Sequence, residues 1–324
     1  MDQGKLKQVL GKKLKENEPL SKHTWFKIGG PARFFVAPKS SVELVEALTA
    51  AEDSGVPYFI LGSGSNILVS DNGFDGLVIQ PENRSFSISG TTVTAQAGAL
   101  VVEVLKATLD AGLTGWPWAA GLPGTIGGAL RGNAGAYGKA MGDIVSKADV
   151  FYLGKVTTMA REALKFSYRH SILKEIPAVA INVELQLAYG DSRADQQLVA
   201  QYNQRRQDTQ PLELPSAGCV FKNIDLSEVE IDKKKVIKGL DVTEAEFAEA
   251  TKYGKLPVSY IVDRLGLKGK TIGGAQVSEK HGAFIVNVGE ARAEHVVMLI
   301  SDVKMRVRNQ LGIQLQEEVQ YVGF

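Results

Sequence analysis

The chain has 324 residues, with 37 Lys and Arg against 36 Asp and Glu and a net charge of +1. That length predicts about two domains, and the charge balance argues against nucleic acid or a membrane surface as the main partner. A single cysteine, Cys219, excludes an intrachain disulfide and suits a reducing, cytoplasmic setting.

The first twenty residues space Leu and Val among Lys at helical intervals and predict a short amphipathic helix, with no apolar leader. Residues 32–37 read as a strand. Ser40 and Glu43 make a capping box for a helix running to Ser54, with Leu44, Val45 and Leu48 inward. Strands follow at 58–61 and 77–79. The first of them delivers Gly62, Ser63, Gly64, Ser65 and Asn66 in a turn, where Ser63, Ser65 and Asn66 can bond phosphate oxygens. Residues 92–97 predict a strand and 101–111 a helix with Val102, Leu105 and Leu109 on one face.

Residues 121–138 read GLPGTIGGALRGNAGAYG, with Gly at 121, 124, 127, 128, 132, 135 and 138. Glycines let backbone N–H groups approach a ligand with no Cβ in the way, and such nests suit phosphate or pyrophosphate. Pro123 stiffens the loop and Thr125 adds a donor. Taken alone the stretch also fits an ordinary set of turns. Two separated phosphate-type loops favour one long ligand, a dinucleotide. Residues 111–130 carry no charge, but six Gly and two Pro there would ruin a spanning helix, so the protein reads as soluble.

Strands are expected at 149–153 and 178–187, then a polar helix over 197–207. Pro211 and Pro215 punctuate the chain and mark a boundary near 212–215. Thr243 and Glu246 make a second capping box for a helix to Tyr253. Residues 259–265 predict a short helix closed by Gly266, and 283–287 a strand. Residues 293–308 form an amphipathic helix with Val296, Ile300, Val303 and Val307 on its apolar face. A last strand over 316–321 would put Glu317 and Glu318 on opposite faces.

Several familiar motifs are missing. Gly269-Lys270-Thr271 looks like the end of a P-loop, but its upstream glycine position holds Arg264. No Gly-x-Gly-x-x-Gly follows a strand. His23, His170, His281 and His295 stand far apart with no carboxylate pattern, which argues against a metal site.

The two glycine-rich loops together resemble the FAD-binding loops of the UDP-N-acetylenolpyruvoylglucosamine reductases, flavoenzymes of peptidoglycan synthesis. The likeness extends to HTWFKIGGPA at 23–32, FSYRHS at 166–171, PSAGCVFKN at 215–223, LKGKTIGGAQ at 267–276 and LQEEV at 315–319. These blocks keep their order over nearly the whole chain. The resemblance implies an α+β fold, with a two-part FAD-binding unit of the vanillyl-alcohol-oxidase type at 1–83 and 84–212. A C-terminal α+β substrate domain would follow at 213–324.

It also implies non-covalent FAD, held by Gly62, Ser63, Gly64, Ser65, Asn66, Gly121, Pro123, Gly124, Thr125, Gly127, Gly128, Asn133, Ala134 and Gly135. NADPH would be the hydride donor, and the substrate a UDP-sugar, UDP-N-acetylglucosamine enolpyruvate, reduced to UDP-N-acetylmuramate. Arg169, which alone reads as a structural ion pair, would lie beside the enolpyruvyl group next to Tyr168. An Arg fork matches the carboxylate that group carries. Cys219 takes a slot where family members carry Ser or Cys and would be the general acid. Glu318 would stabilise the enol-like intermediate, a role that burial favours in a carboxyl. Lys222, Asn223, Lys268 and Gln276 would contact the substrate.

The chain departs from the family pattern at Ile224, where Pro is usual. It departs again over 225–256, a long charged segment with Lys233, Lys234 and Lys235 that reads as a solvated insertion. The short stretch from 187 to 216 resembles the subtype lacking an extra tyrosine-bearing substrate loop. Two alternatives stand beside this reading: an FAD-dependent oxidase of the same fold, and a non-catalytic nucleotide-binding protein.

Overall fold

The computed structural model describes residues 2–324; Met1 lies outside the described residues. The fold is α+β and divides into two compact units interleaved along the chain. One takes in the chain up to Glu18, then Pro31–Ser63 and Phe74–Arg206. The other takes in Pro19–Gly30, Gly64–Gly73 and Gln207–Phe324. Among the described residues no helix is long and apolar enough to cross a membrane.

The first unit holds two larger sheets. In one, Lys15–Pro19, Pro31–Val36, Phe74–Ile79 and Tyr58–Ile60 lie in that order, and Phe74–Ile79 runs parallel to Pro31–Val36 and Tyr58–Ile60. The helix Ser41–Ser54 starts where Ser40 accepts the Glu43 N–H, and it buries Leu44 and Leu48 while Val45 is half-covered. Glu43 does not close the box expected from sequence: its carboxylate accepts from the Lys39 N–H at 2.7 Å and pairs with Lys13. The N-terminal helix stops at Leu10, and Lys15–Pro19 is extended, so the helical pattern over the first twenty residues overshoots.

The second sheet is antiparallel, in the order Lys155–Ala160, Val145–Tyr152, Val179–Gln186, Thr92–Gln96 and Phe86–Ser89. Two of its strands, Phe86–Ser89 and Lys155–Ala160, sit at its edges; Phe86 and Ile88 alternate toward the core, but over only four residues. The helix Val101–Asp110 buries Val101, Val104, Leu105 and Leu109 and leaves Val102 44% exposed, a face turned from the expected one.

The second unit is built round the helix Ala293–Leu311, whose Val296, Ile300, Val303 and Val307 are all buried. It packs with an antiparallel sheet of Ser216–Cys219, Phe284–Asn287, Ala275–Val277 and Thr271–Ile272. Segment 225–256 is not a solvated excursion. Its helix Lys233–Leu240 keeps the lysines outside but sends Val236 and Leu240 into this core, and Phe247 and Leu256 join them. Amphipathic spacing hid that contribution beneath the charge. Thr243 and Glu246 form the full capping box expected of them, at the start of Glu244–Ala250.

Candidate active site

In the first unit Gly62, at the start of the first glycine-rich stretch, comes against Thr125 of the second. The Gly62 carbonyl accepts from Gln80 Nε2 at 3.1 Å, and a Cβ added at Gly62 would stand 3.1 Å from Thr125 Oγ1. Side chains larger than hydrogen would fill this cradle. Thr125 caps the helix Ile126–Gly132 by accepting the Gly128 N–H at 3.2 Å. Ile126 and Gly127 donate to the Ala99 and Ala97 carbonyls, both at 2.8 Å. The N–H groups of residues 126–128 are therefore occupied within the chain, and a Cβ at Gly127 would stand 2.9 Å from Ala97 Cβ. Gly121, Pro123 and Gly124 precede the cap, and the Gly124 carbonyl accepts from the Val101 N–H at 3.1 Å.

Two buried polar atoms of this unit, Trp118 Nε1 and Gln96 Oε1, have no hydrogen-bond partner among the described residues. Trp118 leads into Gly121, and Gln96 precedes the Ala97 that Gly127 touches. An isolated buried donor or acceptor costs about 1–3 kcal/mol. Cradle and orphaned atoms fit a large polar cofactor such as a dinucleotide.

Asn133 ends the helix in the left-handed conformation, and its side chain is fully engaged. Oδ1 accepts from the Gly142 N–H at 2.9 Å, and Nδ2 donates to the Ser167 carbonyl at 2.8 Å. Ala134 and Gly135 continue into a small hairpin, where Gly135 pairs with Ala140. Asn133 thus acts as a strut between the glycine-rich loop and the turn that carries Tyr168 and Arg169, a role no motif announces.

That turn is tight. Ser167 and His170 exchange backbone hydrogen bonds, both at 3.1 Å, so Tyr168 and Arg169 occupy its tip. Arg169 has φ 56, in the left-handed region that side chains avoid. Its carbonyl accepts from Lys174 Nζ at 2.8 Å, and Ser171 Oγ donates to the Arg131 carbonyl at 2.8 Å, which hold the turn in place. The guanidinium lies over the Tyr168 ring, 5.3 Å from its centre. Such backbone strain, about 1–3 kcal/mol, persists where the surroundings over-determine it and is a pointer to function.

In the second unit Gly64, Ser65 and Asn66 lead into Ile67–Val69, which pairs in parallel with Gln320–Val322. Gly64 has φ 72, and a Cβ there would overlap the His23 carbonyl at 2.1 Å, so only glycine fits. Asn66 Nδ2 donates to the Glu318 carbonyl at 3.2 Å. Cys219 ends the strand Ser216–Cys219 opposite Phe284, after a register shift, with Gly218 at φ 72. A bulge of this kind re-aims the following side chain. Cys219 is half-buried.

The next residues bind the C-terminal segment. Glu318 N–H donates to the Val220 carbonyl at 2.7 Å, and Lys222 N–H donates to the Gln316 carbonyl at 2.9 Å. The expected strand over 316–321 is shorter: Glu317 makes a single bridge with Phe221, and regular pairing covers only Gln320–Val322. The Glu318 N–H thus bonds the residue that follows Cys219, which joins two segments far apart in sequence.

The other polar residues of this unit have partners of their own. Asn223 Oδ1 accepts from Val258 N–H at 3.1 Å and starts the helix Val258–Arg264. Lys268 pairs with Asp263 at 2.9 Å. Gln276 Nε2 donates to the Gly269 carbonyl and Thr271 Oγ1. Half-buried Lys222 has no such bond from its ammonium among the described residues. Burial pushes the His281 imidazole down to about 4, helped by the charge of Lys268, so it stays neutral at pH 7, edge-on to Phe284.

Comparison with known proteins adds a second line. The model of an FAD binding domain matches residues 32–157, and that of the UDP-N-acetylenolpyruvoylglucosamine reductase C-terminal domain matches residues 210–322. The chain is 37% identical to the UDP-N-acetylenolpyruvoylglucosamine reductase of Caldanaerobacter subterraneus subsp. tengcongensis, over 98% of this chain and 97% of the relative. It is 40% identical to that of Alkaliphilus oremlandii, over 95% and 92%. The crystal structure of the Thermus caldophilus reductase superposes with a TM-score of 0.75 at 29% identity, covering 95% of this chain and 99% of the other.

Proposed function

The chain belongs to the UDP-N-acetylenolpyruvoylglucosamine reductase family, and from that premise we propose that it reduces UDP-N-acetylglucosamine enolpyruvate to UDP-N-acetylmuramate, with NADPH as hydride source, in peptidoglycan precursor synthesis. The substrate gains a hydride at the methylene carbon and a proton at the carbon bearing the carboxylate, and NADPH leaves as NADP⁺. Bound FAD supplies the hydride relay between them. It is held without a covalent link, because neither glycine-rich loop contains His or Cys.

The remaining work falls to side chains. Arg169 holds the substrate carboxylate with its two-pronged guanidinium and stabilises the negative charge that develops beside it. Cys219 Sγ–H donates the proton. The Glu318 carboxyl steadies the enol-like charge, and Lys222 answers the diphosphate. Tyr168, Asn223, Lys268 and Gln276 complete the substrate contacts, the last three from positions already braced within their own unit. A thiol that must stay reduced suits the cytoplasm.

The observation that carries this reading is the hydrogen bond between Glu318 N–H and the Val220 carbonyl, which ties the Cys219 and Glu318 segments together. Isotope placement tests it. Turnover in D₂O with unlabelled NADPH should put deuterium on the carbon bearing the carboxylate. Hydrogen peroxide formed without UDP-N-acetylmuramate would favour the oxidase alternative.

A further inference from the structure

Glu317, beside Glu318, has partners that the reaction above does not use. Lys304, on the helix Ala293–Leu311, forms an ion pair with it, and the two side chains are only 28% and 22% exposed. The Tyr321 phenol feels the same carboxylate, which, after burial, helps push it up. The Glu317 backbone bridges Phe221. Glu318 is held on both sides, its N–H on Val220 and its carbonyl under Asn66 Nδ2. The 317–318 peptide is therefore fixed from Ala293–Leu311, from the 220–222 segment and from Asn66.

We propose that Lys304 is a positioning residue for Glu318, acting through Glu317: the ion pair anchors the 317–318 backbone and cancels a charge one residue from Glu318 in the chain. The inference rests on the role given to Glu318 above. Other charges nearby are accounted for. Asp302, on the same helix, is held by Lys270 and Arg306. Burial and Glu317 push the Tyr321 phenol up, so it stays protonated. Lys222 stands on the segment facing Gln316.

The signs follow from like and unlike charges. Without Lys304, the Glu317 carboxylate is left uncompensated and makes Glu318 harder to ionise. Without the Glu317 charge, the Lys304 ammonium is left and makes Glu318 easier to ionise. The test is the pH profile of enolpyruvyl-substrate reduction in single-turnover mixing of the NADPH-reduced holoenzyme. Lys304→Met should move the profile to higher pH and slow this half-reaction about tenfold, short of the ~100-fold that a 1 Å misplacement costs. Glu317→Gln should move the profile to lower pH, and the double variant should restore its position. Lys304→Arg should keep the wild-type profile, and flavin reduction by NADPH should be unchanged throughout.

Single variants whose profiles shift the same way, or not at all, overturn the positioning role. So does equal slowing of both half-reactions by Lys304→Met. Glu317→Gln keeps the side-chain shape and carries the test alone if Lys304→Met fails to fold. Glu318→Gln separates the two claims: substrate reduction at the full rate in that variant refutes the role of Glu318 itself.

Discussion

Cys219→Ala should slow reduction of the enolpyruvyl substrate by about 10²–10⁴-fold, the usual worth of a positioned general acid, while NADPH still bleaches the flavin at the wild-type rate. Hydride addition at the methylene carbon leaves negative charge on its neighbour, which must then take a proton. A free thiol has a pKa of about 8.5 and is mostly protonated at pH 7, so it can donate. The bulge at Gly218 aims the side chain, and the Val220 carbonyl that follows is fixed by Glu318. Placement therefore counts for more than bulk acidity, and Cys219→Ser should retain far more activity than Cys219→Ala. Rapid-mixing traces at the wild-type rate in the Ala variant would reduce Cys219 to a packing residue.

Arg169→Met should cost about 10²–10³-fold in the same half-reaction, the typical price of one electrostatic stabiliser in an active site. Flavin reduction by NADPH should survive. Met is no more comfortable than Arg at φ 56, so the substitution removes the guanidinium without relieving the backbone. Arg169→Lys should recover little, because an ammonium cannot form the two-pronged bond. Arg169→Gly should be equally slow yet more heat-stable, since glycine adopts the left-handed region freely. Equal loss of both half-reactions in a folded Arg169→Met protein would make this a structural arginine.

Much of the fold was legible because its signals are local. The Thr243 and Glu246 box and the apolar stripe from Val296 to Val307 lie within single helices, and both stand where their spacing put them. Edge strands such as Lys155–Ala160 escaped because only Thr157 and Met159 are even partly covered, which leaves too little apolar alternation to mark a strand. Segment 225–256 was misread because seven-residue and eight-residue helices show their lysines and glutamates openly and need only Val236, Leu240 and Phe247 to reach a core.

At the site, residue identities were legible and their connections were not. Gly62 and Ser63 read as one loop with Gly64, Ser65 and Asn66, yet the chain passes from one unit to the other between Ser63 and Gly64. The Asn133 strut depends on contacts 9 and 34 residues away. The Lys304–Glu317 pair joins a helix to an irregular segment, where neither period of 2 nor of 3.6 applies. Arg169 could be picked as a candidate, but nothing in the sequence gave the strain of its turn.

The most direct test of the account is the visible absorption spectrum of the purified protein under anaerobic conditions. The spectrum should show oxidised flavin, lose its colour on addition of NADPH, and regain it on addition of UDP-N-acetylglucosamine enolpyruvate. A protein that stays colourless after incubation with FAD would contradict the account, as would one whose NADPH-bleached flavin fails to recover with the enolpyruvyl substrate.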